Sequence, residues 1–168
     1  MRLFSALFPP QAALTELADL VRSAGPDTRE LDPVPVADMY IPVTNFGNVT
    51  LADGRALEES LRREAATWTA PKLAFGGGTA LEWRGDQSVW AKLDGDLDQL
   101  QEIGRSVPVV VQRLGFFVDR RQFRPWLSVG TITDHTTAPY LERLVGALES
   151  FRGQTWQLEH VSVVRKLP

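Results

Sequence analysis

Proton transfer near neutral pH calls for a side chain that titrates there, and histidine is the one whose ordinary pKa does. The chain has two, His135 and His160, and no cysteine. His135 falls in a polar turn and His160 in a β-rich closing run. Both read as turn or strand residues rather than as an acid and a base. Without cysteine there is no disulfide and no thiolate metal site.

The other residues with chemistry to offer gather in two stretches. Phe123 to Ile132 (FRPWLSVGTI) carries Arg124, Trp126 and Ser128, and Arg120 and Arg121 precede it to complete the densest basic cluster. Met39 to Val49 (MYIPVTNFGNV) carries Tyr40 and Pro42. A phenol is mostly protonated at neutral pH, an indole has no titratable base, and proline offers neither a side-chain donor nor a backbone N–H. None of them exchanges protons as imidazole does. They can bind instead: the aromatics as platforms for a base or sugar, Arg124 and Ser128 as holders of a phosphate. The competing reading makes the aromatics packing residues and Arg124 half of a structural ion pair. Gly76-Gly77-Gly78 lacks the Lys-Ser/Thr of a phosphate-binding loop and reads as a flexible hairpin turn. The sequon Asn48-Val49-Thr50 has no meaning in a chain without a secretory signal.

Strands and helices must position these residues. The apolar run Arg2 to Phe8 predicts a buried strand, and Pro10 opens a helix over Gln11 to Ala24 with Leu14, Leu17, Ala18 and Val21 on one face. Thr28 to Ala37, with Pro33 and Pro35, reads as an extended connection into a strand at Met39 to Phe46. Asp53 is expected to cap a helix from Gly54 to Thr67, whose Glu58-Glu59 and Arg62-Arg63 side is solvated. KLAF, TALEW and SVWAKL between Pro71 and Leu93 read as hairpin-linked strands. Asp96 to Leu114 has helical spacing that Pro108 is expected to kink or break. A strand over Pro125 to Ile132, a helix from Thr137 to Phe151 and a β-rich run over Thr155 to Arg165 complete an α+β pattern of mostly antiparallel strands.

With 168 residues, 43% hydrophobic and 23% charged, the chain suits one soluble domain over 1–168. A net charge of -3 argues against a DNA or RNA coat, which needs a surplus of Lys and Arg, but leaves room for a local basic cleft. Leu3 to Phe8 is too short for a signal-peptide core, and no segment has the length of a membrane span. The expectation is a cytoplasmic monomer with no membrane partner.

In the order of its elements and in three stretches the chain resembles the 2′-5′ RNA ligase-like two-histidine phosphoesterases over nearly its whole length. RLFSALFPP (Arg2 to Pro10) is similar to that family's first strand, FRPWLSVGTI to its second motif, usually written FRPHxTxxR, and WQLEHVSVVRKL (Trp156 to Leu167) to its final strand. The resemblance implies a bilobal α+β fold: two pseudo-symmetric lobes of mostly antiparallel sheet, with helices packed outside, around a central cleft. It also implies two His-x-Thr/Ser motifs facing each other, where residues i and i+2 of a strand share a face and reach one phosphate. One histidine serves as base and the other as acid, without metal or cofactor.

Carried over by position, Tyr40 stands at the first histidine and Pro42 at its hydroxyl partner; Trp126 stands at the second histidine and Ser128 at its partner. Of the four groups only the Ser128 hydroxyl survives. Acid and base groups each contribute about a hundredfold to ten-thousandfold in rate, so the resemblance points to a pseudoenzyme. It would bind a nucleotide, an RNA end or another phosphorylated small molecule through Tyr40, Arg124, Trp126 and Ser128. The rivals are a residual 2′,3′-cyclic or 2′-5′ phosphodiesterase and a structural or protein-interaction module whose cleft Tyr40 and Trp126 plug.

Overall fold

The computed structural model of the chain describes residues 2–25, 28–118, 122–158 and 161–166. Arg120, Arg121 and His160 lie outside the described residues. The elements run β1 (Arg2–Leu7), α1 (Gln11–Ala24), β2 (Leu31–Pro33), β3 (Ile41–Asn48), α2 (Leu51–Ala65), β4 (Lys72–Ala80) and β5 (Ser88–Gly95). They continue with α3 (Leu97–Arg113), β6 (Trp126–Ile132), α4 (Ala138–Ser150), β7 (Trp156–Gln157) and β8 (Ser162–Lys166).

The strands form two sheets, ordered β3-β1-β8 and β2-β6-β5-β4-β7, and each pairing among the described residues is antiparallel. α2 and α3 cover the first sheet and α4 covers the second, with α1 against α4. The chain passes back and forth between the sheets: β1 belongs to the first, β2 to the second, β3 to the first, β4 and β5 to the second, and β8 returns to the first. Each lobe is therefore assembled from segments distant in sequence. The buried apolar residues, from Leu3, Leu7 and Ile41 to Leu127, Val129, Leu144 and Leu148, make one continuous core.

Several sequence expectations need correction, and each has a physical reason. The connection after α1 contains a strand: β2 pairs with β6, Pro33 opposite Gly130, at the edge of its sheet, where a missing N–H costs no ladder bond. β3 starts at Ile41, so Tyr40 sits just ahead of the strand. α2 is capped by Thr50, not Asp53. The Thr50 hydroxyl accepts from Asp53 N at 3.1 Å while the Asp53 carboxylate accepts from Thr50 N at 3.5 Å, a reciprocal capping box that starts the helix earlier.

The three glycines are not a hairpin turn. They lie within β4, where Phe75 pairs with Leu93 and Gly78 with Ala91, a bulge that Gly77 accommodates at φ +99. Gly78 has no room for a side chain because Leu148 of α4 lies against it. The turn of that hairpin falls after β4, at 81–87. α3 continues through Pro108, because its apolar face, Leu100, Ile103, Val107, Val110 and Val111, is buried on both sides of the proline. The closing run divides into β7 and β8, one in each sheet.

Gly104 of α3 bears directly on the second stretch singled out above. A Cβ there would run into the ring of Phe123, so the missing side chain is what seats FRPW against the helix. Gly104→Ala gains about 1 kcal/mol of helix propensity but overpacks the contact, which typically costs about 1–3 kcal/mol. The urea midpoint of Gly104→Ala should fall below that of the wild type; a midpoint that rises would show that Phe123 is not held there.

Candidate functional site

Strand alternation decides which side chains meet across the cleft. On β5, Val89, Ala91 and Leu93 are buried, leaving Trp90 and Lys92 on the opposite face. On β6, Leu127 and Val129 are buried, leaving Trp126 and Ser128. The register sets Trp90 opposite Ser128 and Lys92 opposite Trp126. Trp126 and Trp90 are in tilted contact with centroids 6.3 Å apart, and Trp90 meets Trp83, from the hairpin turn, at 5.5 Å. Three indoles thus form one wall.

Two cations lean on this wall. The Arg124 guanidinium lies 4.6 Å from the Trp83 ring centre and 5.4 Å from that of Trp126, and the Lys92 ammonium lies 5.2 Å from the Trp126 ring. The hairpin turn is held by Asp86, whose carboxylate accepts from Glu82 N at 2.9 Å, Ser88 N at 3.0 Å and the Trp90 indole N–H at 2.9 Å. One side chain fixes both the loop that carries Trp83 and the indole beneath it.

The facing wall comes from β1 and β3. Phe4 contacts Tyr40 at 5.0 Å and Phe8 contacts it at 6.0 Å. The β1–β3 ladder shifts register between Ser5 and Ala6, and the Ser5 hydroxyl bridges the irregularity by accepting from Thr44 N at 3.1 Å and donating to Thr44 O at 3.3 Å. Burial raises the Tyr40 phenol above its ordinary pKa of 10.0, and the Asp38 carboxylate adds to the shift, so the phenol keeps its proton at neutral pH.

Between the walls lies a cleft of about 590 Å³, lined by Phe4, Tyr40, Pro42 and Thr44 on one side and by Trp83, Trp90, Arg124 and Trp126 on the other. Tyr40, Pro42, Arg124 and Trp126 are thus brought together. Ser128 is half-buried beside Trp90, is not among the lining residues, and turns its hydroxyl to Gly130 O at 3.4 Å. His135 is exposed in the turn before α4, away from the cleft, where its backbone N–H donates to Thr133 Oγ1 at 3.1 Å. That turn is pinned to Glu30, which accepts from both Thr137 N at 3.0 Å and the Thr137 hydroxyl at 2.5 Å. Among the described residues no carboxylate lines the cleft and no group of three His, Cys, Asp or Glu side chains could hold a metal ion.

Sequence reasoning missed Trp83, Trp90, Phe4 and Thr44. The alternation within SVWAKL already put Trp90 and Lys92 on one face, but only the pairing of β5 with β6 shows that this face is shared with Trp126.

Removing the shared acceptor in Asp86→Ala leaves three N–H groups without it, and is expected to cost about 1–3 kcal/mol and to red-shift tryptophan emission as Trp83 and Trp90 loosen. Unchanged emission would show that Asp86 does not hold the indoles. For Tyr40, the folded chain keeps its proton more tightly than the unfolded chain. The group therefore costs nothing below its ordinary pKa and removes stability as the pH climbs through and beyond it. From roughly pH 9 to pH 11 the urea midpoint of the wild type should fall more steeply than that of Tyr40→Phe.

Solved structures share this architecture. TT0787 of Thermus thermophilus superimposes with a TM-score of 0.69 at 20% identity, covering 98% of this chain and 88% of that one. E. coli LigT complexed with 3′-AMP gives 0.69 at 16% identity, over 96% and 86% of the two chains. Usb1 of Kluyveromyces marxianus gives 0.57 at 11% identity, over 97% and 93%. E. coli LigT has also been crystallised with phosphate, NADP+ and ATP. No family model matches the sequence, and no curated protein matches it. These neighbours are two-histidine phosphoesterases, and the chain has their α+β fold of two antiparallel sheets with outer helices. No helix among the described residues is long and apolar enough to cross a membrane.

Proposed function

We propose that this chain is a noncatalytic binding module on the two-histidine phosphoesterase fold, whose cleft takes a nucleotide, an RNA end or another phosphorylated small molecule. The reading is carried by Arg124: a cleft-lining cation set on two indole faces, with no carboxylate lining the cleft among the described residues. Although the chain has a net charge of -3, Lys92 and Arg124 flank Trp126, and low-dielectric walls focus such a local field on anions. The indoles offer faces to a base, a contact worth about 1–3 kcal/mol per base. Volume supports binding over plugging, since about 590 Å³ falls within the range of small-ligand pockets.

The same lining supports the noncatalytic reading. Tyr40 holds its proton well above neutral pH, Trp126 has none to exchange, and Pro42 has no donor. The described lining residues include no histidine, cysteine or carboxylate, the side chains that most often serve as base or acid to a phosphodiester. The ligands crystallised with E. coli LigT, 3′-AMP and ATP among them, combine an aromatic base with phosphate. That chemistry suits the walls described here.

Titration with 3′-AMP, followed by tryptophan fluorescence, should give a saturable change, and Arg124→Gln and Trp126→Ala should each weaken it about tenfold or more. No response to 3′-AMP, ATP or inorganic phosphate, together with a Trp126→Ala that is merely less stable, would favour the plugged module. Assays with a 2′,3′-cyclic nucleotide and a 2′-5′-linked dinucleotide should show no turnover. Hydrolysis abolished by Ser128→Ala or His135→Ala would replace this reading with a surviving phosphodiesterase.

A further inference from the structure

A cation set on an aromatic face keeps its charge available to an anion, whereas an ion-paired cation first has to release its partner. The wall of β5 and β6 carries two such cations, and only one of them, Arg124, lines the cleft. The other, Lys92, lies on the same face of β5 as Trp90 and opposite Trp126 in the β5–β6 ladder, with its ammonium 5.2 Å from the Trp126 ring centre. None of the ion pairs among the described residues includes Lys92. Asp94, the acid next along that face, turns its carboxylate to Gly95 N, accepting at 2.8 Å.

The fold holds this side chain in place. Its stem lies against Gly77 of the β4 bulge, where φ is +99 and an added Cβ would come within 3.3 Å of the Lys92 Cβ and 3.6 Å of its Cδ. The apolar stem is thus half-buried along the bulge while the charged end stays at the ring. Trp126 is approached from the cleft by Arg124 and from β5 by Lys92. Two cations flanking one aromatic ring match a ligand whose two phosphates flank one nucleoside: each cation meets a phosphate, and the ring offers a face to the base between them. A polyphosphate, with its charges side by side, matches that spacing poorly. We propose that Lys92 is a second phosphate site, outside the cleft, and that the ligand is a nucleoside phosphorylated at both its 3′ and 5′ positions, with its base on Trp126 and one phosphate at Arg124. The proposal rests on the binding reading above and extends its ligand by one phosphate. Such a unit is found free or as the 3′-phosphorylated end of an RNA strand.

The test titrates 3′-AMP, adenosine 3′,5′-bisphosphate and ADP at one salt concentration, followed by tryptophan fluorescence. The bisphosphate should bind about tenfold more tightly than 3′-AMP, the scale of one hydrogen bond to a charged group, and ADP should not match it. Lys92→Met keeps an unbranched stem and removes the charge. It should weaken the bisphosphate about tenfold and 3′-AMP, which feels only the field of Lys92, less than about threefold; Lys92→Arg should keep the preference for the bisphosphate. Equal losses for the two ligands in Lys92→Met would overturn the proposal, since Lys92 would then act only through Trp126 or the general field. A wild type that binds the bisphosphate no more tightly than 3′-AMP, or binds ADP equally well, overturns it without any variant and leaves the binding cleft standing. An RNA trinucleotide with a 3′-phosphate separates the two sources: binding at least as tight as the bisphosphate assigns the site to an RNA end, and weaker binding to the free bisphosphate. If the wild type binds none of these, the binding reading fails and this inference fails with it.

Discussion

Arg124 lies 4.6 Å from one indole centre and 5.4 Å from another, and no carboxylate lines the cleft beside it among the described residues. A guanidinium in that position is held by ring faces, which attract its charge without neutralising it. It remains able to meet an anion, whereas an ion-paired arginine would first have to surrender its partner. The contact also gives the indoles a second task, since Trp83 and Trp126 orient the cation as well as offering surface. The remaining features of the wall serve this arrangement: Asp86 fixes the turn that carries Trp83, and Gly104 admits Phe123 so that the next residue, Arg124, reaches the cleft.

The same contacts bear on why an indole suits position 126. Lys92 and Arg124 flank the ring. A histidine in its place would have two cations nearby, and like charges disfavour the protonated imidazole. A neutral ring that attracts cations is well served there.

Much of this was legible in the residues, though unevenly. β1, α1, α4 and the strand from Trp126 followed from apolar periodicity and from Pro10 and Thr137 at helix starts, all local signals. The glycine run misled because three glycines permit a turn and also permit a bulge with a helix lying close above it. Only Leu148 of α4, far along the chain, decides between them. At Pro108 the expected break does not occur, because the proline's cost is local whereas the burial that offsets it is tertiary. In the cleft, Tyr40, Arg124 and Trp126 could be named from stretches that resemble known motifs. Trp83 and Trp90 lie outside those stretches and join the site only through strand register and a hairpin turn.

The way the chain is threaded gives the cleft its persistence. Because consecutive elements pass repeatedly between the two sheets, neither wall can move far without dragging connections that belong to the other. β3 and β6, which carry or adjoin the facing residues, are each the partner of a strand reached by such a passage: β3 pairs with β1, and β6 pairs with β2 and β5. For the ligand proposed above, walls tied in this way need little reorganisation on binding, a cost that would otherwise reduce affinity. The aromatic phosphate proposed as ligand would, for this reason, meet a cleft whose two walls are already in place.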